Sequence, residues 1–227
     1  MAKAQGEGEA AVAAFERIIG WVTKHKKAKA ILPSLNKPAA AKAIAEFETK
    51  TKLKLPESFA AIYRLHDGQD EGAANEALDE NSGIDSVESG LFPSIEGDGD
   101  LAHLLVPLKE LASSTRGSQM PGFTKGWVPF GSNYGGDNIV LDLASTDPKK
   151  RGRVLQFNHD YGAAFEIAPS FAKYLEHIAD GLETKKIVWD DEAGLSYKKG
   201  RDWDDLIEKK KVEYDPKFME QFGGDSE

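Results

Sequence analysis

Apolar residues in the first third of the chain recur at helical spacing. Val12, Phe15, Ile18, Ile19 and Val22 lie three and four residues apart, predicting an amphipathic helix from about Glu9 to His25 with one face against a core. The lysines from Lys24 to Lys29 close it and suit a helix C-terminus electrostatically. Asn36 is placed to cap a second helix, with Pro38 near its first turn and Ala41, Ile44, Ala45 and Phe47 as its stripe, running to about Thr51. In LKLPESFAAIYRLHDGQ, Pro56 opens a third helix, Phe59, Ile62, Tyr63 and Leu65 line one face, and Gly68 ends it. Residues 68–90 are rich in Gly, Ser, Asn and acid, and read as a long mobile loop.

From Leu91 the pattern changes to short apolar runs, Leu91-Phe92 and then Leu104 to Leu108, punctuated by Pro93 and Pro107. Leu108 to Ala112 is long enough for one helical turn. Trp127 to Phe130 and Asn138 to Leu143 read as two strands joined by a Gly-rich turn. In the second strand Ile139, Leu141 and Leu143 share one face while Val140 and Asp142 share the other, so the sheet is expected to have one dry and one partly wet side. After the turn at Asp147-Pro148, Val154, Leu155 and Phe157 make a third antiparallel strand, and Phe165 and Ile167 a further short one. Pro169-Ser170 then opens a helix with Phe171, Tyr174, Leu175 and Ile178 on one face, ended by Gly181. The last 44 residues, with Trp189, Trp203 and a helix expected near residues 202–210, read as an extension docked by aromatics.

Composition bounds what this chain can be. With 227 residues and 40% hydrophobic, there is material for one substantial core plus appendages. The absence of cysteine removes disulfides and thiolate chemistry and fits a reducing compartment. No apolar run approaches the roughly 20 residues of a membrane span, and MAKAQGEGEA lacks the apolar core of a signal peptide, so a cytoplasmic protein is expected. A formal charge of -9 argues against nucleic acid as partner. Charge is also segregated: residues 1–54 hold eleven Lys/Arg against five Asp/Glu, and residues 55–100 hold Arg64 against twelve acids. An acidic stretch of that kind can steer a basic partner or simply keep a loop solvated.

Three segments, in order and spacing, resemble the SUKH superfamily, which contains the fungal cell-wall assembly regulators of the Smi/Knr type and many bacterial immunity proteins. They are LPESFAAIYRLHDG at residues 55–68, with Asp67 where Asn is more usual; WVPFGSNYGGDNIVLDL at residues 127–143; and GRVLQFNHD followed by APSFAKYL at residues 152–175. The resemblance implies an α+β fold, a curved and mainly antiparallel sheet flanked by helices, over residues 39–183. Residues 1–38 and 184–227 are then helical extensions. It also implies a non-enzymatic protein-binding role. Leu55, Pro56, Gly68, Trp127, Pro129, Gly135, Gly136 and Asp142 carry the motifs and are expected to build the fold.

His66-Asp67 and His159-Asp160 invite an acid/base reading, but both sit where elements end, which favours turn and cap chemistry. Asp98, Asp100 and His103 have a spacing open to a divalent ion, yet the segment does not match a calcium loop, and no metal or cofactor is expected. Gly97-x-Gly99-x-x-Ala102 follows Pro93 rather than a buried strand, and the carboxylates of Glu96, Asp98 and Asp100 would repel a pyrophosphate. No nucleophile elbow is present. Gly135-Gly136-Asp137 supports two readings, a turn whose aspartate caps neighbouring amides or a surface that a partner approaches.

What the resemblance implies, taken with the chain's size and acidity, is an immunity protein that neutralises a cognate bacterial toxin by direct binding. A regulatory scaffold of the cell-wall regulator type is the alternative, and a hydrolase built on Asp98, Asp100, His103 and His159 a weaker one. Contact with the protein partner is expected at Glu88, Glu96, Asp98, Asp100, Asn133, Tyr134 and Asp137, with no role for membrane.

Overall fold

Five strands follow one another as an antiparallel meander in the computed structural model, in the order β1 (Leu104–Leu105), β2 (Trp127–Ser132), β3 (Asn138–Asp142), β4 (Val154–Asn158) and β5 (Ala163–Ala168). The residues described are 2–70, 72–73, 90–93, 102–117, 122–133, 136–160, 162–191 and 193–198. Three consecutive strands, β2 to β4, pair in the order their alternation predicts, and the α+β class holds. Register shifts between Pro129 and Gly131, where a bulge accommodates a proline that cannot donate to the ladder.

Helices cover one face of the sheet. The helix α1 (Ala2–Lys24) lays Ala11, Phe15, Ile18 and Val22 into the core, beside α3 (Glu57–Tyr63) and α5 (Phe171–Glu183). Phe59 of α3 joins the layers, with its ring 5.5 Å from Phe130 of β2 and 4.8 Å from Phe171 of α5, both edge-on. α2 (Ala41–Thr51) packs on α4 (Leu108–Gly117) at the side, and a 3₁₀ segment spans Ala28–Ser34. Among the described residues no helix is long and apolar enough to cross a membrane.

Several local expectations change. α1 starts at Ala2, seven residues before the expected start near Glu9, and α4 extends well past one turn. Asn36 does not cap α2. That helix begins at Ala41 without a side-chain cap, and the Asn36 amide instead donates to the Asp67 carbonyl at 3.0 Å. Gly181 does not end its helix either; α5 continues to Glu183, and Gly181 makes room for Ile187. α3 ends at Tyr63, while Gly68 takes φ +75 in the turn beyond, where a Cβ would lie 2.6 Å from the Pro107 nitrogen.

The sheet face expected to be partly wet is dry. Val140 packs there with Phe123, Trp127, Leu155, Phe157 and Ala164 in a second small core. Asp142 is fully buried on β3, paired with Arg153 at 2.9 Å and accepting from the amides of Ala144 and Ser145. Its ion pair and amide bonds supply what burial of a carboxylate demands. A second antiparallel hairpin, β6 (Ile187–Asp190) and β7 (Gly194–Tyr197), lies beyond α5 and was not foreseen.

Candidate partner-binding end of the sheet

The turn between β2 and β3 and the turn between β4 and β5 lie at the same end of the meander, because each strand reverses its predecessor. There Asp137 and His159, 22 residues apart, meet. The Asp137 carboxylate accepts from the backbone N–H of His159 and from its Nδ1–H, each at 2.9 Å, while Asn158 Nδ2 lies at 3.4 Å. The other ring nitrogen of His159 faces Asp160 Oδ1 at 3.1 Å. Flanked in this way, the imidazole has its pKa raised above the ordinary value, first by the hydrogen bond to Asp137 and then by the charges of Asp137 and Asp160, with desolvation opposing. Gly136 is held at φ +109 beneath this ring, and its own carbonyl accepts from the Asn138 amide at 2.8 Å.

Asp137 and the neighbouring Asn133 are each 7% exposed, so the carboxylate meets the chain itself before any partner. Asp160 is the open member of the group, with 76% of its side chain exposed. Tyr134 and Gly135 lie outside the described residues, as do Glu88, Glu96, Asp98 and Asp100. The flanks of the acidic segments are described. Phe92 and His103 exchange backbone hydrogen bonds at 3.0 and 2.7 Å, and Leu104 pairs with Ser132. Both ends of the stretch carrying Glu96, Asp98 and Asp100 are thus tied beside the β2–β3 turn.

Gln69 carries no signal in the sequence, where it sits in the polar run Asp67-Gly68-Gln69-Asp70-Glu71. Its buried side chain donates to Ser34 Oγ at 2.9 Å and accepts from the amides of Leu91 and Leu105 at 3.1 and 3.0 Å. It thereby joins the chain on either side of residues 71–89 to β1.

Of the two pairs singled out for acid/base chemistry, His159 and Asp160 stay in contact, whereas His66 and Asp67 turn to different partners. His66 Nδ1 donates to the Asn36 carbonyl at 2.9 Å, and Asp67 accepts from the Leu108 amide at 3.0 Å at the start of α4. His103 is wholly buried, its pKa pushed down to about 3 by desolvation, with the Gln156 amide 3.4 Å from its Nε2. Among the described residues no three His, Asp or Glu side chains converge as metal ligands would.

A family model described as the SMI1 / KNR4 family (SUKH-1) matches residues 38–177. The chain is similar to "Cell wall biosynthesis/cell cycle regulator smi1" of Schizosaccharomyces pombe, 25% identical over 156 residues, covering 64% of this chain and 31% of that protein. It is also similar to "Glucan synthesis regulatory protein" of Neurospora crassa, 29% identical over 66 residues, covering 29% of this chain and 12% of that one. A "KNR4/SMI1 homolog" of Yarrowia lipolytica is 33% identical over 58 residues, or 26% of this chain and 8% of its own. The chain spans less than a third of the length of each of these relatives. With the family's model covering most of the meander and the helices that flank it, the chain belongs to the SMI1/KNR4 (SUKH-1) family.

Proposed function

We propose that this chain is a non-catalytic, cytoplasmic protein-binding module that serves as a regulatory scaffold, with residues 39–183 as the binding domain. The observation that carries this reading is the state of His159. Both of its ring nitrogens face carboxylates, which favours its charged form, so the residue joins two turns and is poorly placed to take a proton from a substrate. The names of the relatives, which are regulators of cell wall and glucan synthesis, favour the scaffold over other binding roles. The surface proposed for the partner is the hairpin end, with Tyr134 as a contact, the nearly buried Asn133 and Asp137 shaping the turn beneath it, and Glu88, Glu96, Asp98 and Asp100 steering a basic segment toward it. Affinity capture with the full chain, followed by mass spectrometry and a direct binding measurement, tests it. A specific signalling or wall-synthesis protein whose association slows when Asp98→Lys and Asp100→Lys are combined at low salt is the expected result. Unchanged association kinetics would remove the steering role.

A second reading is an immunity protein that binds a cognate toxin, favoured by the concentration of acid between residues 55 and 100, which suits occlusion of a basic enzyme surface. Tight binding to a toxin encoded beside this gene, with loss of the toxin's activity, would replace the scaffold reading.

A further inference from the structure

The two ends of the meander carry opposite charge. At the hairpin end stand the carboxylates of Asp137 and Asp160. At the other end β2 begins, β5 finishes, and the chain turns from β3 to β4 through residues 143–153. Lys149, Lys150 and Arg151 follow one another in that turn and are exposed. Lys125 is exposed beside it, where the Gly126 carbonyl accepts from the Leu143 amide at 3.1 Å. Lys52 is exposed on the chain leading into Pro56, whose Cγ would lie 3.5 Å from a Cβ on Gly152. All of these residues are among those described.

The turn is fixed by its own hydrogen bonds. The Asp147 carboxylate accepts from the Lys149 amide at 2.9 Å, and its carbonyl accepts from the amides of Lys150 and Arg151, each at 3.0 Å. The Gly152 amide returns to the Asp142 carbonyl at 2.7 Å, with Gly152 at φ +90, a conformation that favours glycine. The cations therefore project from a defined backbone, which lowers the ordering cost of binding.

The carboxylates nearby are engaged within the chain. Arg153 holds Asp142 at 2.9 Å and Glu166 at 3.2 Å, and Glu48 takes Lys54 at 2.7 Å and the Leu55 amide at 3.1 Å. Among the described residues no carboxylate pairs with Lys52, Lys125, Lys149 or Lys150. The lysines at the C-terminus of α1 differ, since the helix dipole favours them there and Lys27 is paired with Asp191 at 2.5 Å.

β3 and β4, five residues each, separate the two ends of the sheet by about 16 Å. That is about two Debye lengths at physiological ionic strength, so a short ligand at one end feels mainly the charge of that end. An extended polyanion, such as nucleic acid or a membrane surface, also meets the acidic end and the net charge of -9. We propose that the β3–β4 end of the sheet, built on Lys149, Lys150 and Arg151 with Lys125 and Lys52 beside them, is a second docking surface that takes an acidic segment of a partner protein. It goes beyond the hairpin-end surface and rests on none of its residues. A chain with both surfaces can hold a basic and an acidic partner segment at once.

The isotope-labelled full chain is titrated at low salt with a short peptide of alternating Glu and Ser, then with its Gln/Ser counterpart, and followed by NMR. Shifts from the Glu peptide should gather at the amides of Lys149 to Gly152, Lys125 and Lys52, and the Gln peptide should move none of them. Lys149→Glu combined with Lys150→Glu should weaken binding about tenfold, and the milder Lys149→Gln with Lys150→Gln about threefold, with circular dichroism unchanged. Asp160→Asn, at the acidic end, should leave the affinity within about twofold. Shifts centred on Lys24 to Lys29, equal affinity for the two peptides, or full binding by both double variants would overturn the proposal. Tighter binding to a short RNA or to anionic phospholipid vesicles than to the Glu peptide would overturn it too.

Discussion

The ring of His159 rests against Gly136 so closely that a Cβ at position 136 would lie 2.7 Å from its Cγ. The contact brings the Gly-Gly-Asp turn and the β4–β5 turn together, and it gives the glycine two separate reasons to be there, proximity and a φ of +109. Gly136→Ala has to move the ring and adopt a strained backbone at once. It is expected to lower stability by about 2–4 kcal/mol in urea unfolding, with Gly20→Ala, inside α1 where a Cβ meets nothing within 4 Å, as a comparison expected to gain up to about 1 kcal/mol.

His159 should titrate above the ordinary histidine value of 6.5 when followed by NMR, because its charged form is bound by Asp137 and Asp160. With the folded pKa raised, the pair's contribution to stability is complete below pH 6.5 and is lost as pH rises through the folded value. Asp137→Asn should bring the midpoint down and flatten that part of the stability profile. An unmoved midpoint would mean that the hydrogen bond to Asp137 does not hold the proton.

His103 works in the opposite sense. Buried and held down to about pH 3, it stays neutral in the folded protein while the unfolded chain takes up a proton near pH 6.5. Stability is therefore present above 6.5 and falls as pH drops toward 3, with a slope of up to about 1.4 kcal/mol per pH unit from this group. His103→Leu should remove that share of the acid sensitivity, read from urea midpoints between pH 4 and 7.

Gln69→Leu keeps much of the side chain's bulk but leaves the amides of Leu91 and Leu105 without their acceptor. Each orphaned buried group costs about 1–3 kcal/mol, so a loss of about 2–5 kcal/mol is expected. Hydrogen exchange should speed up first at those two amides. Protection retained at both would show that Gln69 is not what ties the chain to β1.

What could be read from local pattern was what local physics decides. The helical stripe around Phe15 and Ile18, the alternation in Asn138 to Leu143 and the glycines of the hairpin turn depend on residues a few positions away, and so did the motifs that placed the chain in its family. Half of the proposed site was legible for the same reason. Asp137 was singled out as a cap or a contact, but the group it caps, His159, is 22 residues further on and was paired in the sequence only with its neighbour Asp160.

The remainder needed contacts across the chain. Asp142 reads as a wet-face residue until Arg153 comes to meet it, and Val140 until Trp127 and Phe157 close over it. Gly181 has the composition of a helix stop, yet Ile187 packs on it and the helix runs on. Sequence by itself determined the class of fold, the family and the order of the central strands, because these follow from periodicity and turn residues. Tertiary structure alone decided which polar groups are buried, which turns meet at the hairpin end and which cations gather at the opposite one, because each depends on the burial and charge of residues that only folding makes neighbours.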